Sequence, residues 1–95
     1  MLRITEQHDE KSLTFKLEGK LSGEWTSELE RCWQNAVSNR QLDAIRVELA
    51  EVTYVDDVGK RLLTQMAANG AALIASDVMT SALVAQITLQ LAGEG

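Results

Sequence analysis

Proline is missing from this 95-residue chain, and cysteine, histidine and aromatic side chains are all scarce. With Cys32 as the single cysteine, no intrachain disulfide can form. Cys32 and His8 together cannot supply the four ligands of a zinc site, so neither metal nor other cofactor is expected. The nine basic residues are scattered. A nucleic-acid footprint needs a basic stripe and a peripheral membrane site a polybasic patch, so neither partner is expected. The first residues, Met1 to Glu6, lack the apolar core of a signal peptide. No apolar run approaches the ~18 residues of a spanning helix. These absences predict a cytoplasmic protein without membrane insertion. Repeats, low-complexity segments and linker-like stretches are also lacking, which predicts one domain over residues 1–92 and a flexible tail over 93–95.

What is present is a globular composition, 45% apolar and supplied mainly by Leu, Val, Ile and Ala, with a net charge of −5. A chain of this length buries roughly 60–65% of the surface its unfolded form exposes, enough for a single core. Period-two alternation predicts a strand from Leu2 to Glu6 and a second from Leu13 to Glu18. The polar turn between them, His8-Asp9-Glu10-Lys11, makes an antiparallel hairpin the simplest connection. Gly19, Ser22 and Gly23 break the second strand, and Ser22 is a candidate cap for the first helix. In that helix Trp25, Leu29, Cys32, Trp33, Ala36 and Val37 recur at three- and four-residue spacing.

A third strand follows, with Ile45, Val47 and Leu49 on one face and Arg46 and Glu48 on the other. The second helix has Val58, Leu62 and Met66 on its apolar face and ends at Asn69-Gly70. Ala71 to Ala75 reads as a strand covered on both faces. Ser76-Asp77 then opens a last helix with Met79, Leu83, Ile87 and Leu91 inward. The order ββαβαβα predicts an α/β fold. Two right-handed crossovers give a mixed, mostly parallel sheet of four or five strands, covered by amphipathic helices.

The most informative stretch joins the third strand to the second helix: Val52-Thr53-Tyr54-Val55-Asp56-Asp57-Val58-Gly59-Lys60. It sets two carboxylates beside a helix N-terminus, where unpaired amides and a partial positive charge favour anions. Capping accounts for such a pair, and so does partner recognition. Paired-carboxylate catalysis would also require a substrate pocket and complementary groups, so no catalytic residue is assigned. Phosphorylation of Asp57 in the receiver-domain manner would call for an acidic pair after the first strand and a late lysine, and neither arrangement is present. Gly59 in the first turn of a helix costs about 1 kcal/mol relative to alanine. Close approach of backbone or of a partner would account for it, and so would helix–strand packing.

The element order and this junction resemble the STAS family, the fold of bacterial anti-sigma-factor antagonists. The likeness spans Leu2 to Leu91, with Gly19 at the family's strand-closing glycine and Val47 to Lys60 along its signature. In the family the serine after the aspartate is phosphorylated by a serine kinase that is also the anti-sigma factor. Asp57 stands at that position, Val58 replaces the following Ser or Thr, Lys60 replaces an apolar residue and Glu48 replaces a strand aspartate. The resemblance implies a non-enzymatic bacterial module for transcriptional regulation and signal transduction, working by protein–protein interaction. Its contact residues would be Tyr54, Asp56, Asp57, Val58, Gly59 and Lys60. It also implies that the serine switch is absent, with Asp57 either a standing substitute for phosphoserine or only part of a helix cap. The implied partner is an anti-sigma factor or related serine-kinase-like protein, and a homodimer is compatible with the family. STAS domains also serve as accessory subunits of ABC-type lipid transport systems, where the junction would dock on a transporter ATPase.

The remaining candidates have plainer readings. Cys32 lies on the apolar stripe, away from the helix N-terminus that would activate a thiol. His8 is expected in the solvated hairpin turn. Trp25 and Trp33 share a helix face and read as core, with Trp25 placed early enough to reach an interface.

Overall fold

The computed structural model describes residues 1–39 and 43–94. The elements are β1 (Leu2–Asp9), β2 (Ser12–Leu21), α1 (Glu24–Asn39), β3 (Ala44–Val55), α2 (Asp57–Ala68), β4 (Ala72–Ile74) and α3 (Val78–Glu94). This is the expected ββαβαβα order. Among the described residues the sheet has four strands in the order β1-β2-β3-β4, with β1 antiparallel to β2 and the other two pairings parallel.

One face of the sheet carries the core. Leu13, Phe15, Leu17 and Leu21 of β2 are buried at alternate positions. So are Val47, Leu49 and Val52 of β3. Leu29, Trp33 and Ala36 of α1, Leu62, Leu63 and Met66 of α2, and Ile87 of α3 join them in one cluster. The opposite face is mostly polar and, among the described residues, uncovered. There Arg3 opposes Glu18, Thr5 opposes Lys16, and Lys16 opposes Glu48. Alternation of complementary side chains on an open face is what an antiparallel or edge-adjacent sheet needs when helices cover only its other side.

Several elements depart from expectation. His8 lies within β1, paired with Leu13, and its Nε2 sits 3.4 Å from the Glu6 carboxylate, so the turn is Glu10-Lys11 alone. Gly19 does not end β2. It stands inside the strand at φ +104°, where a Cβ would lie 2.4 Å from the Met1 carbonyl oxygen. Gly23, at φ +55°, occupies the position before α1, and Ser22 contributes its carbonyl to the Trp25 N–H rather than a hydroxyl cap. Val37 and Met79, expected inward, are exposed.

β4 is three residues long with Ile74 at 42% exposure, so it is an edge strand covered on one face only. α3 continues to Glu94, and Gly95 lies outside the described residues. The end of α2 agrees with the sequence reading. The N–H of Ala71 donates to Met66 and that of Gly70 to Ala67, with Gly70 at φ +99°, a Schellman termination.

Candidate partner-binding site

The junction is built by two irregularities in β3. From Lys16↔Glu48 to Glu18↔Glu51, β3 advances three residues against two of β2. From Gly19↔Val52 to Lys20↔Tyr54 it advances two against one. Each extra residue is a bulge, and each reverses the side-chain phase. The first turns Val52 inward in place of Glu51. The second turns Val55 inward and leaves Tyr54 50% exposed. The strand therefore runs six residues past Leu49, where simple alternation stops.

Asp56 follows and caps α2. Its φ of −83° and ψ of 179° are extended, as a cap residue requires. Its Oδ1 accepts the Gly59 N–H at 2.7 Å, and its Oδ2 accepts the Gly23 N–H at 3.1 Å. Its own N–H donates to the Leu21 carbonyl at 3.1 Å. One residue thus ties the end of β2, the turn before α1 and the start of α2. The Gly59 N–H, and then that of Gly23, hold its carboxyl below the ordinary value of 3.8.

Gly59 is buried against the same anchor. A Cβ there would lie 2.8 Å from the Leu21 carbonyl oxygen and 3.1 Å from both Leu21 Cγ and Val55 Cγ1. Helix–strand packing therefore accounts for this glycine. The inward face of α2 is Gly59, Leu62, Leu63 and Met66, which leaves Val58 53% exposed instead of in the core.

Asp57 differs from its neighbour in every respect. It is the first residue of α2, it is exposed, and its carboxylate takes part in no hydrogen bond or ion pair among the described residues. It lines a shallow depression with Lys60, Arg61, Thr64 and Gln90. Lys60 is half-buried, and its carbonyl accepts the Thr64 hydroxyl at 2.8 Å. On the other side of α2 a groove of about 200 Å³ runs along α1 and includes Thr26, Glu30, Val58 and Arg61. The Thr26 hydroxyl is buried there without a hydrogen-bond partner. Nothing in the sequence singled out Thr26, because a threonine one position after Trp25 reads as an ordinary helix residue.

The structure therefore brings Tyr54, Asp57, Val58 and Lys60 to one exposed end of the sheet. Asp56 and Gly59 lie beneath them as framework. Cys32 is half-buried mid-helix and burial pushes its thiol up, the direction of an inert sulfur. Trp33 is buried and Trp25 half-buried against the core. Among the described residues no three His, Cys, Asp or Glu side chains converge on a point that could hold a metal. No helix among them is long and apolar enough to cross a membrane. A larger cavity, about 520 Å³, lies at the opposite end of β3, between Trp33, Ile45 and Asn69.

The backbone is similar to a solved anti-sigma factor antagonist from Mycobacterium paratuberculosis, with a TM-score of 0.80 at 15% identity over 94% of this chain and 80% of that one. It is also similar to an antisigma-factor antagonist STAS domain from Rhodobacter sphaeroides, with a TM-score of 0.53 at 14% identity over 78% and 84%. An uncharacterised protein with a SpoIIAA-like fold from Shewanella loihica gives 0.57 at 14% identity over 82% and 69%. No family model matches the chain, and no curated protein matches it. The chain has the STAS fold, as the junction signature and element order implied.

Proposed function

We propose that this protein is a non-enzymatic regulatory module that binds a protein partner through the exposed end of β3 and the first turn of α2. The observation that supports this reading is the division of labour between two adjacent carboxylates. Asp56 accepts the Gly59 N–H of α2 and the Gly23 N–H before α1, whereas the Asp57 carboxylate accepts neither and stands exposed. Tyr54 and Val58 add exposed apolar side chains at the same end of the molecule, and Lys60 adds a positive charge beside Asp57. Surfaces of this composition choose partners by charge and hold them by apolar contact.

The solved antagonists of the same fold make an anti-sigma factor or a related serine-kinase-like protein the partner to test first. Asp57 lacks a hydroxyl, and its −1 charge approaches the −1.5 to −2 of a phosphoserine at neutral pH. In this reading the surface is held in one electrostatic state rather than switched by a kinase. Asp57→Ser is the direct test. Capture of partner from the native cell, measured against wild type, is expected to change by tenfold or more, about 1.4 kcal/mol. The melting temperature is expected to stay within about 2 °C. Unchanged capture would refute the contact surface, and co-purification of a transporter ATPase would replace the anti-sigma partner. Incubation of wild type with a serine kinase and ATP is expected to leave residues 56–60 unmodified, and phosphate mapped there would contradict the fixed-state reading.

A further inference from the structure

α3 is apolar on two opposite sides. Its inward side supplies Leu83, Val84, Ile87 and Leu91 to the core, with Thr80 buried at its start against Asp77. At 100° per residue, Val78, Ala82, Ala85, Leu89 and Ala92 fall on the diametrically opposite side, and all five are exposed. Val78 is 89% and Leu89 72% accessible. Their spacing of four, three, four and three is the heptad spacing of a helix that packs against another helix. A solvated helix face ordinarily carries charge. α1 has Glu24, Glu30 and Arg31 exposed, and α2 has Asp57 and Arg61. From Val78 to Gly93, α3 has no charged residue at all.

We propose that this outer side is a self-association surface, on which two copies of the chain pair their α3 helices antiparallel about a two-fold axis at Ala85. Two features of the molecule select a second copy as the occupant. The seam is complementary to itself only in that orientation. Antiparallel pairing centred on Ala85 sets Val78 against Ala92 and Leu89 level with Ser81 and beside Ala82, large against small, so that the side chains interdigitate. A parallel pairing sets Val78 on Val78 and Leu89 on Leu89, with gaps at the alanines between. The second feature is charge. Each copy carries −5, and copies repel wherever acidic surface meets acidic surface. The α3 seam is free of charge and avoids that repulsion. The same lack of basic residues leaves it without attraction for an anionic membrane.

The seam is about 21 Å long at 1.5 Å per residue. A contact of that length lies at the small end of specific interfaces, so the dimer is concentration-dependent. This surface is separate from the one proposed above for a heterologous partner.

Sedimentation velocity from about 5 to about 500 μM, a range suited to small interfaces, tests the proposal. Wild type is expected to pass from monomer to dimer across it. Leu89→Lys is expected to weaken association roughly a hundredfold or more, because it forces an unpaired charge into the seam, with no change in the melting curve. Two cysteine variants in a Cys32→Ser background fix the geometry. Ala85→Cys is expected to form an interchain disulfide on oxidation, because the two Cα atoms meet at the axis. Ala92→Cys is expected to stay reduced, since its two copies lie about 21 Å apart. A monomer throughout the range, a dimer indifferent to Leu89→Lys, or cross-linking of Ala92→Cys as fast as Ala85→Cys would overturn the proposal. So would a wild-type monomer that floats with neutral phosphatidylcholine vesicles.

Discussion

α2 and α3 begin alike and end up with different surfaces. Each is capped by an aspartate whose Oδ1 accepts the N–H three residues on at 2.7 Å, Asp56 to Gly59 and Asp77 to Thr80. Asp77 serves its own helix, taking the Thr80 hydroxyl as well at 2.6 Å. Asp56 reaches beyond its helix to Gly23, and the glycine it caps is pressed against Leu21. Beyond the caps, α2 turns charged residues to solvent and α3 turns out valine, alanine and leucine. A cap shows where a helix starts, and the outer face shows what the helix can meet.

The two helical glycines sharpen this contrast most. Gly59→Ala gains about 1 kcal/mol of helix propensity but forces a methyl onto a backbone carbonyl, and overpacking of this kind costs about 1–3 kcal/mol or more. A net loss is expected in urea melts. Gly93 has nothing within 4 Å of the corresponding position, so Gly93→Ala is expected to be neutral or stabilising by up to about 1 kcal/mol. Equal behaviour of the two would mean that α2 does not sit as close to β2 as described.

The caps come next. Asp56→Ala removes acceptors from two elements and is expected to lower the melting temperature by about 4–8 °C. Amide exchange should then quicken at Gly23 as well as at Gly59, whereas Asp77→Ala should quicken it only around Thr80. Differential scanning calorimetry with hydrogen exchange checks both.

The acid limb is a smaller effect. Asp77 is held below its ordinary value by the Thr80 hydroxyl and then by the Thr80 N–H, as Asp56 is by its two amides. A carboxylate lowered in the folded state contributes stability that is fully present above its unfolded value of about 3.8 and is lost as pH falls through the folded value. Wild type is therefore expected to lose stability progressively below about pH 4, where unfolded aspartate begins to protonate. Asp56→Asn is expected to start lower and fall less steeply over the same window. Parallel acid limbs would remove Asp56 from the stability account.

The helices and the first two strands were legible because their patterns stay in phase. Leu13, Phe15 and Leu17 alternate cleanly, and Asn69-Gly70 stops α2 as read. The junction was legible as a strand-to-helix turn but not in the structural roles of its residues. Beyond Leu49 the two bulges in β3 reverse the period twice, so Val52 to Val55 looked like a loop and Tyr54 had no assigned face. Asp56 and Asp57 are indistinguishable in sequence. What separates them is a contact 33 residues away in the chain, with Gly23, and no local pattern encodes it. Val58 was read inward because helical spacing from Leu62 allows it, yet Gly59 takes that place since the helix lies too close for a side chain. β4 was read as doubly covered because an apolar run does not reveal which strand is the edge.

In the proposed reading Asp56 holds the junction together and Asp57 faces the partner. Melting temperature and capture of partner from the native cell, measured side by side on Asp56→Asn and Asp57→Ser, test it most directly. Asp56→Asn is expected to lower the melting temperature several-fold more than Asp57→Ser, while Asp57→Ser is expected to alter capture at an unchanged fold. A loss of stability in Asp57→Ser equal to that in Asp56→Asn, with capture unaffected, would contradict it and return both carboxylates to capping.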